Sequence, residues 1–209
     1  MASATPATPS TKETTNYARL CRVLVDVGAC ALRDCFDSIC TPKLLHTVLA
    51  ANKPKLEALK SRKIINATQW GKVYPAISTS VSSKYFDITL LVTLLRNICG
   101  LTPPGGAVTG WDELPDATDL SREADIARVK FFRNTMYAHA EHASVEDAIF
   151  NKHWKDIRDT LVRLGGVTYE VKNLLLLLLF VCFSVIDLIK RFELHWRIKD
   201  LIKLFPFPF

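Results

Sequence analysis

No two cysteines in this chain are spaced as CxxC, so a zinc ribbon or RING finger built from these residues is excluded. The six cysteines (Cys21, Cys30, Cys35, Cys40, Cys99 and Cys182) read instead as free thiols in a reducing, cytoplasmic setting. Met1 to Thr15 is rich in Ala, Thr, Pro and Ser and has no apolar run, so no signal peptide is expected there. The sequon Asn66-Ala67-Thr68 then carries little weight. Period-two alternation is missing as well, which leaves no strand pattern to compete with helix. Nor is the charge extreme. A formal +6 and a pI of about 9.0 suit an RNA partner but not a dedicated DNA-binding arm. No cofactor and no metal site are expected.

What is present is helical periodicity. Residues 1–13 read as a disordered leader. From Thr14 to Ile39, Tyr17, Leu20, Leu24, Val27, Ala31 and Cys35 recur at helical spacing. Thr41-Pro42 reads as an N-cap followed by Pro at the first helical position of a short helix through Leu49. Lys53 to Lys63 holds five basic residues and the single acid Glu57, and is read as a solvated face. Trp70, Tyr74, Phe131 and Phe132 are read as core. Asp87 to Ile98 is apolar on most faces and predicts a core helix, ended by Gly100.

Leu101 to Thr118, with Pro103-Pro104-Gly105-Gly106 and Gly110, cannot be helix and predicts a long loop whose Trp111 folds back on the bundle. Helix resumes near Asp119 or Ser121, with Ile126, Val129, Lys130, Arg133 and Tyr137 along one side. Ser144-Val145-Glu146-Asp147 resembles a capping box. It precedes a helix with the stripe Phe150, Trp154, Ile157, Leu161 and Leu164, capped by Gly165-Gly166. The expectation is an all-α antiparallel bundle over residues 14–169, with a long Pro/Gly loop before the motif helix and a hydrophobic C-terminal helix.

The stretch Arg133-Asn134-Thr135-Met136-Tyr137-Ala138-His139 holds the minimum for metal-free RNA cleavage. Arginine is permanently cationic and its fork fits a phosphate. Histidine takes and gives a proton near neutral pH. The spacing alone is equally met by an Arg133 that pairs with a nearby acid and a His139 that caps a helix C-terminus. Six residues of unbroken helix turn ~600°, leaving the two side chains about 120° apart. Either the helix ends near Tyr137, or a second protomer completes the site across a two-fold axis; we favour the homodimer.

Asp119-Leu120-Ser121, Ala124-Asp125-Ile126-Ala127-Arg128, Arg133-Asn134 and Tyr137-Ala138-His139 together resemble the HEPN superfamily. With Gly110-Trp111-Asp112 and Leu114-Pro115 upstream, the likeness narrows to the HEPN domain of the DAZ-interacting zinc-finger ubiquitin ligase and its invertebrate relatives. It covers about residues 15–166. The resemblance implies a helical bundle that often dimerises and acts either as a metal-independent ribonuclease or as an RNA-binding or adaptor module. It implies His139 as acid/base, Arg133 as phosphate clamp and Asn134 as the positioning amide, with Lys130 and Tyr137 contacting RNA. By family analogy the setting is defence or RNA surveillance. The alternative is a noncatalytic dimerisation or adaptor module of a truncated signalling protein.

Residues 170–209 change character. Leu174 to Ile186 is continuously apolar and includes six leucines in a row. The segment 173–189 would form ~25 Å of helix against a ~30 Å hydrocarbon core, the short end of a transmembrane span. The basic residues downstream would place the bundle outside by the positive-inside rule, which conflicts with an RNA partner. Three readings stay open: a membrane anchor, a helix packed on the bundle or a partner, and translated noncoding sequence of pyrimidine-rich origin. No likeness to the family is visible in this tail.

Overall fold

Thr11 starts the first helix. Its hydroxyl accepts from the Thr14 amide and the Thr14 hydroxyl accepts from the Thr11 amide, so two orphan amides of the first turn are satisfied reciprocally. The helix therefore begins at Lys12, two residues before the sequence reading placed it, and residues 12 and 13 are not part of a leader. The computed structural model describes residues 11–105, 110–138 and 143–165; the side chains of residues 137 and 138 lie outside that description.

Helix α1 (Lys12–Val23) runs through a π-helical segment (Leu24–Gly28) into α2 (Ala29–Ile39). Gly28 faces two other helices, where a Cβ would stand 3.6 Å from Val129 and 3.9 Å from Leu161, in ordinary van der Waals contact. A 3-10 turn (Pro42–Leu44) leads into α3 (Leu45–Ala51). Pro42 takes the first position as expected, but the Thr41 side chain makes no capping bond. Helices α4 (Lys53–Ser61) and α5 (Ala67–Val73) follow, then α6 (Ile88–Ile98), α7 (Arg122–Ala138) and α8 (Asp147–Gly165). Among the described residues there is no strand, and the fold is an all-α bundle.

The core is the contact of α1, α2, α6, α7 and α8. Leu20, Leu24, Leu32 and Phe36, Leu90, Leu91, Leu94 and Leu95 of α6, and Ile126, Val129 and Phe132 of α7 are all fully or almost fully buried. Of the expected stripe on α8, Ile157 and Leu161 are buried; Phe150 and Trp154 stack on each other half-buried at its edge. The α8 N-terminus also departs from a local box. The Asp147 carboxylate accepts from Asn16 Nδ2 at 2.9 Å and pairs with Lys12, while the Val145 amide donates to the Glu13 carbonyl, so the start of α8 is fixed by α1.

One polar cluster crosses this apolar interior. Asp125, 1% exposed, accepts two parallel bonds from Arg163 of α8 (Nε–Oδ2 2.8 Å, Nη2–Oδ1 2.7 Å) and one from Arg128 Nη1 at 2.8 Å. Arg128 Nη2 donates to the Asp116 carbonyl at 2.5 Å, tying the preceding loop to α7. Fork-shaped charge-assisted bonds of this kind fix orientation as well as energy. Among the described residues no helix is long and apolar enough to cross a membrane. The expected C-terminal helix and the 173–189 span lie outside the described residues.

Removing Asp125 leaves the buried Arg128 and the partly exposed Arg163 without their shared acceptor. Asp125→Ala should lower folding stability by about 3–5 kcal/mol, the usual cost of breaking a buried ion pair. Urea unfolding monitored by circular dichroism measures it; a loss below about 1 kcal/mol would show that the cluster does not hold α7 to α8.

Candidate functional site

Helix α7 starts because Asp119 accepts the Ser121 amide at 3.0 Å and the Ser121 hydroxyl accepts the Ala124 amide at 3.2 Å. From that start the buried positions Ala124, Ile126, Val129, Phe132 and Met136 face the core. Lys130, Arg133 and Asn134 flank that buried face on the side of α6, with Arg133 one turn beyond Val129. They line one pocket of about 300 Å³ with Arg96, and its apolar wall is Ile64, Ile88 and Val92, with Thr89 and Thr93 between. The pocket thus places three cations and an amide over a small apolar floor. Arg133 Nη1 donates to Asn134 Oδ1 at 3.1 Å, so the motif's two neighbours act as one unit.

The long loop supplies the counter-charge. Trp111 is buried, as expected, and the Arg96 guanidinium lies over its ring at 5.8 Å. This plants Asp112 at the pocket rim, where its carboxylate pairs with Lys130 and accepts from Arg96 at 3.1 Å. The Lys130 ammonium, and after it the Arg96 guanidinium, hold the Asp112 carboxyl below the usual carboxylate range. The folded-state value is depressed, so this contact is in place above the ordinary carboxylate range and is lost as pH falls through the depressed value. Chemically the arrangement can seat one phosphate group, in competition with a resident carboxylate.

The structure brings together Lys130, Arg133 and Asn134 of the expected site. Tyr137 stands in the last turn of α7 and its side chain is outside the described residues; His139 lies outside them altogether. The helix reaches Ala138, so Arg133 to Ala138 is continuous. Sequence reasoning did not single out Arg96. Its signal was available: it is the only charge within the apolar run of α6. Trp70 and Tyr74, read as core, are half-buried and line a surface groove instead, because α5 lies at the margin of the bundle. Phe132 is buried as read, whereas Phe131 is half-buried.

If Asp112 competes with anions, Asp112→Asn should free Lys130 and Arg96 and tighten the binding of single-stranded RNA about 2- to 5-fold. That is the scale of an exposed charge pair, and folding stability should change by less than about 1 kcal/mol. Fluorescence anisotropy of a labelled oligonucleotide reads this directly. Weaker binding would show that Asp112 organises the cations rather than opposing the ligand.

Comparison with known proteins adds three findings. The family model for the DZIP3/hRUL138-like HEPN domain matches residues 42–177. The E3 ubiquitin-protein ligase DZIP3 of Mus musculus is 30% identical over 152 residues, covering 71% of this chain and 12% of that protein. Its counterpart in Homo sapiens is 29% identical over 158 residues, covering 74% and 13%. The chain therefore spans about an eighth of the length of the curated relatives it matches. No solved structure matches it. The family match continues past Gly166 into the start of the apolar run, where the sequence by itself showed no likeness. Read with the bundle and the Arg133-Asn134 pair on α7, these matches establish that the chain belongs to the DZIP3/hRUL138-like HEPN family.

Proposed function

We propose that this chain binds RNA and cleaves it without metal. The observation that carries the reading is the convergence of Arg96, Lys130, Arg133 and Asn134 on one small pocket. Permanent cations and an amide aimed at one point suit the phosphate at which charge accumulates during transfer. In the reaction, a base removes the 2′-OH proton. The 2′ oxygen then bonds to phosphorus as the bond from phosphorus to the 5′ oxygen breaks. An acid gives that oxygen its proton, leaving a 2′,3′-cyclic phosphate and a 5′-OH. His139 is the proton carrier and Arg133 the clamp. A two-fold dimer would supply two such histidines to one groove, so that one takes the proton as the other gives it. By family analogy the setting is defence or RNA surveillance.

A second reading draws on Asp112. A carboxylate already pairs with two of the pocket's three cations, as in a structural ion-pair network. On that reading the chain is a noncatalytic dimerisation or adaptor module, tethered to a membrane if the 173–189 segment inserts. The ligase activity in the relatives' names is not carried over to a chain that spans so little of their length.

Purified protein incubated with single-stranded RNA in EDTA decides between the two. We expect cleavage that survives EDTA, leaves cyclic phosphate ends and disappears in both His139→Ala and Arg133→Ala. RNA left intact by wild-type protein at concentrations where it dimerises would overturn the ribonuclease reading in favour of the adaptor.

A further inference from the structure

Outside the motif pocket, a second feature carries the chemistry of strand binding. Trp70 of α5 and its C-cap residue Tyr74 lie one turn apart, with ring centroids 4.5 Å apart. Lys60 Nζ stands over the Trp70 ring at 4.6 Å and Lys53 Nζ over the Tyr74 ring at 5.8 Å. With Glu57 and Ser61 these residues line an open groove of about 650 Å³. Tyr74 is locked in place, since its hydroxyl donates to the Leu49 carbonyl at 2.8 Å. Burial, and then the nearby Glu57, push its phenol up to about 12, so it stays neutral and does not repel an anion. Lys53, Lys55, Lys60, Arg62 and Lys63 are all exposed around it, against the single acid Glu57.

The groove meets the motif pocket at one turn. Ser61 lines the groove and Ile64 lines the pocket. They stand three positions apart, a reach of at most ~11 Å. The turn itself is sharp. The Lys63 amide donates to the Lys60 carbonyl and the Ile64 amide to the Leu59 carbonyl, the bonding of a Schellman cap. Lys63 occupies the position that glycine usually takes, at φ 60°. A cation and an exposed isoleucine therefore stand between the two depressions.

We propose that this groove is a second subsite for single-stranded RNA. Unpaired bases stack on Trp70 and Tyr74, and the lysines now over the rings swing on their flexible stems to the backbone phosphates. The strand whose phosphate occupies the Arg133 pocket continues across the Ser61–Ile64 turn onto this platform. Aromatic faces accept any base, so the subsite adds affinity and direction without sequence preference. Base pairing hides those faces, so a duplex gains nothing from it. The inference rests on the RNA reading above and names where the strand goes next.

The test is binding of oligo(U) by the full chain, comparing a dodecamer with a trinucleotide and with the dodecamer annealed to its complement. Trp70→Ala should weaken dodecamer binding about 5- to 100-fold, the range for loss of one stacked base, and leave the trinucleotide unchanged. Trp70→Phe should restore most of the loss, which a purely structural role for the indole would not require. Lys60→Ala, on an exposed side chain, should weaken the dodecamer without affecting folding. Wild-type affinity in Trp70→Ala and Lys60→Ala, with Arg133→Ala weakened, would overturn the subsite and leave the motif pocket standing. Loss in Trp70→Ala with none in Arg133→Ala would support the groove and remove the motif pocket from RNA binding. A duplex held as tightly as the single strand, with equal sensitivity to Trp70→Ala, would overturn stacking.

Discussion

A single buried carboxylate holds the working part of this molecule in register. Asp125 is almost inaccessible, yet it is ionically paired with an arginine from its own helix and another from α8. Placing such a charge in an apolar interior is costly unless every lone pair is met, and here both oxygens are met with fork geometry. A slide of α7 along α8 by one residue would strand the carboxylate. The cluster also reaches the loop through the Asp116 carbonyl, so helix, partner helix and loop are set by the same group. The position of Lys130 and Arg133 over α6 follows from that register.

The second constraint is charge balance at the pocket rim. Three cations brought to one small cavity repel each other, and the long loop answers with Asp112, anchored by its buried neighbour Trp111. The loop touches both helices, since Asp112 pairs with Arg96 of α6 and Lys130 of α7. A resident carboxylate keeps the cations ordered, and on the RNA reading proposed above a phosphodiester of the same single charge takes its place. Ribonuclease and adaptor modules differ in whether that exchange takes place.

Much of this was legible in the residues. Periodicity marked the helices: the α6 run was apolar on most faces and proved to be core, and the Pro/Gly stretch was a loop with its tryptophan turned inward. Caps were harder. Thr11, which composition had assigned to a leader, closed a box with Thr14, and Thr41 did not cap despite its ideal place. Long-range polar partners were out of reach, because nothing in a linear pattern says that Asp125 will meet Arg163 or that Asp112 will meet Arg96. Trp70 and Tyr74 show the opposite limit. Aromatic residues near a short helix suggest core, but α5 sits at the edge of the bundle and leaves one side of each ring open.

The claim at the centre of this account is that the α6/α7 pocket seats an RNA phosphate through Arg133. The most direct measurement is the salt dependence of RNA affinity for wild type and Arg133→Ala. Each phosphate contact to a single strand contributes about −0.7 to the slope of log K against log salt concentration. The account predicts that Arg133→Ala binds more weakly and that its slope is shallower by about 0.7. Identical slopes and affinities would mean that Arg133 touches no phosphate, and the pocket would then be a structural ion-pair network.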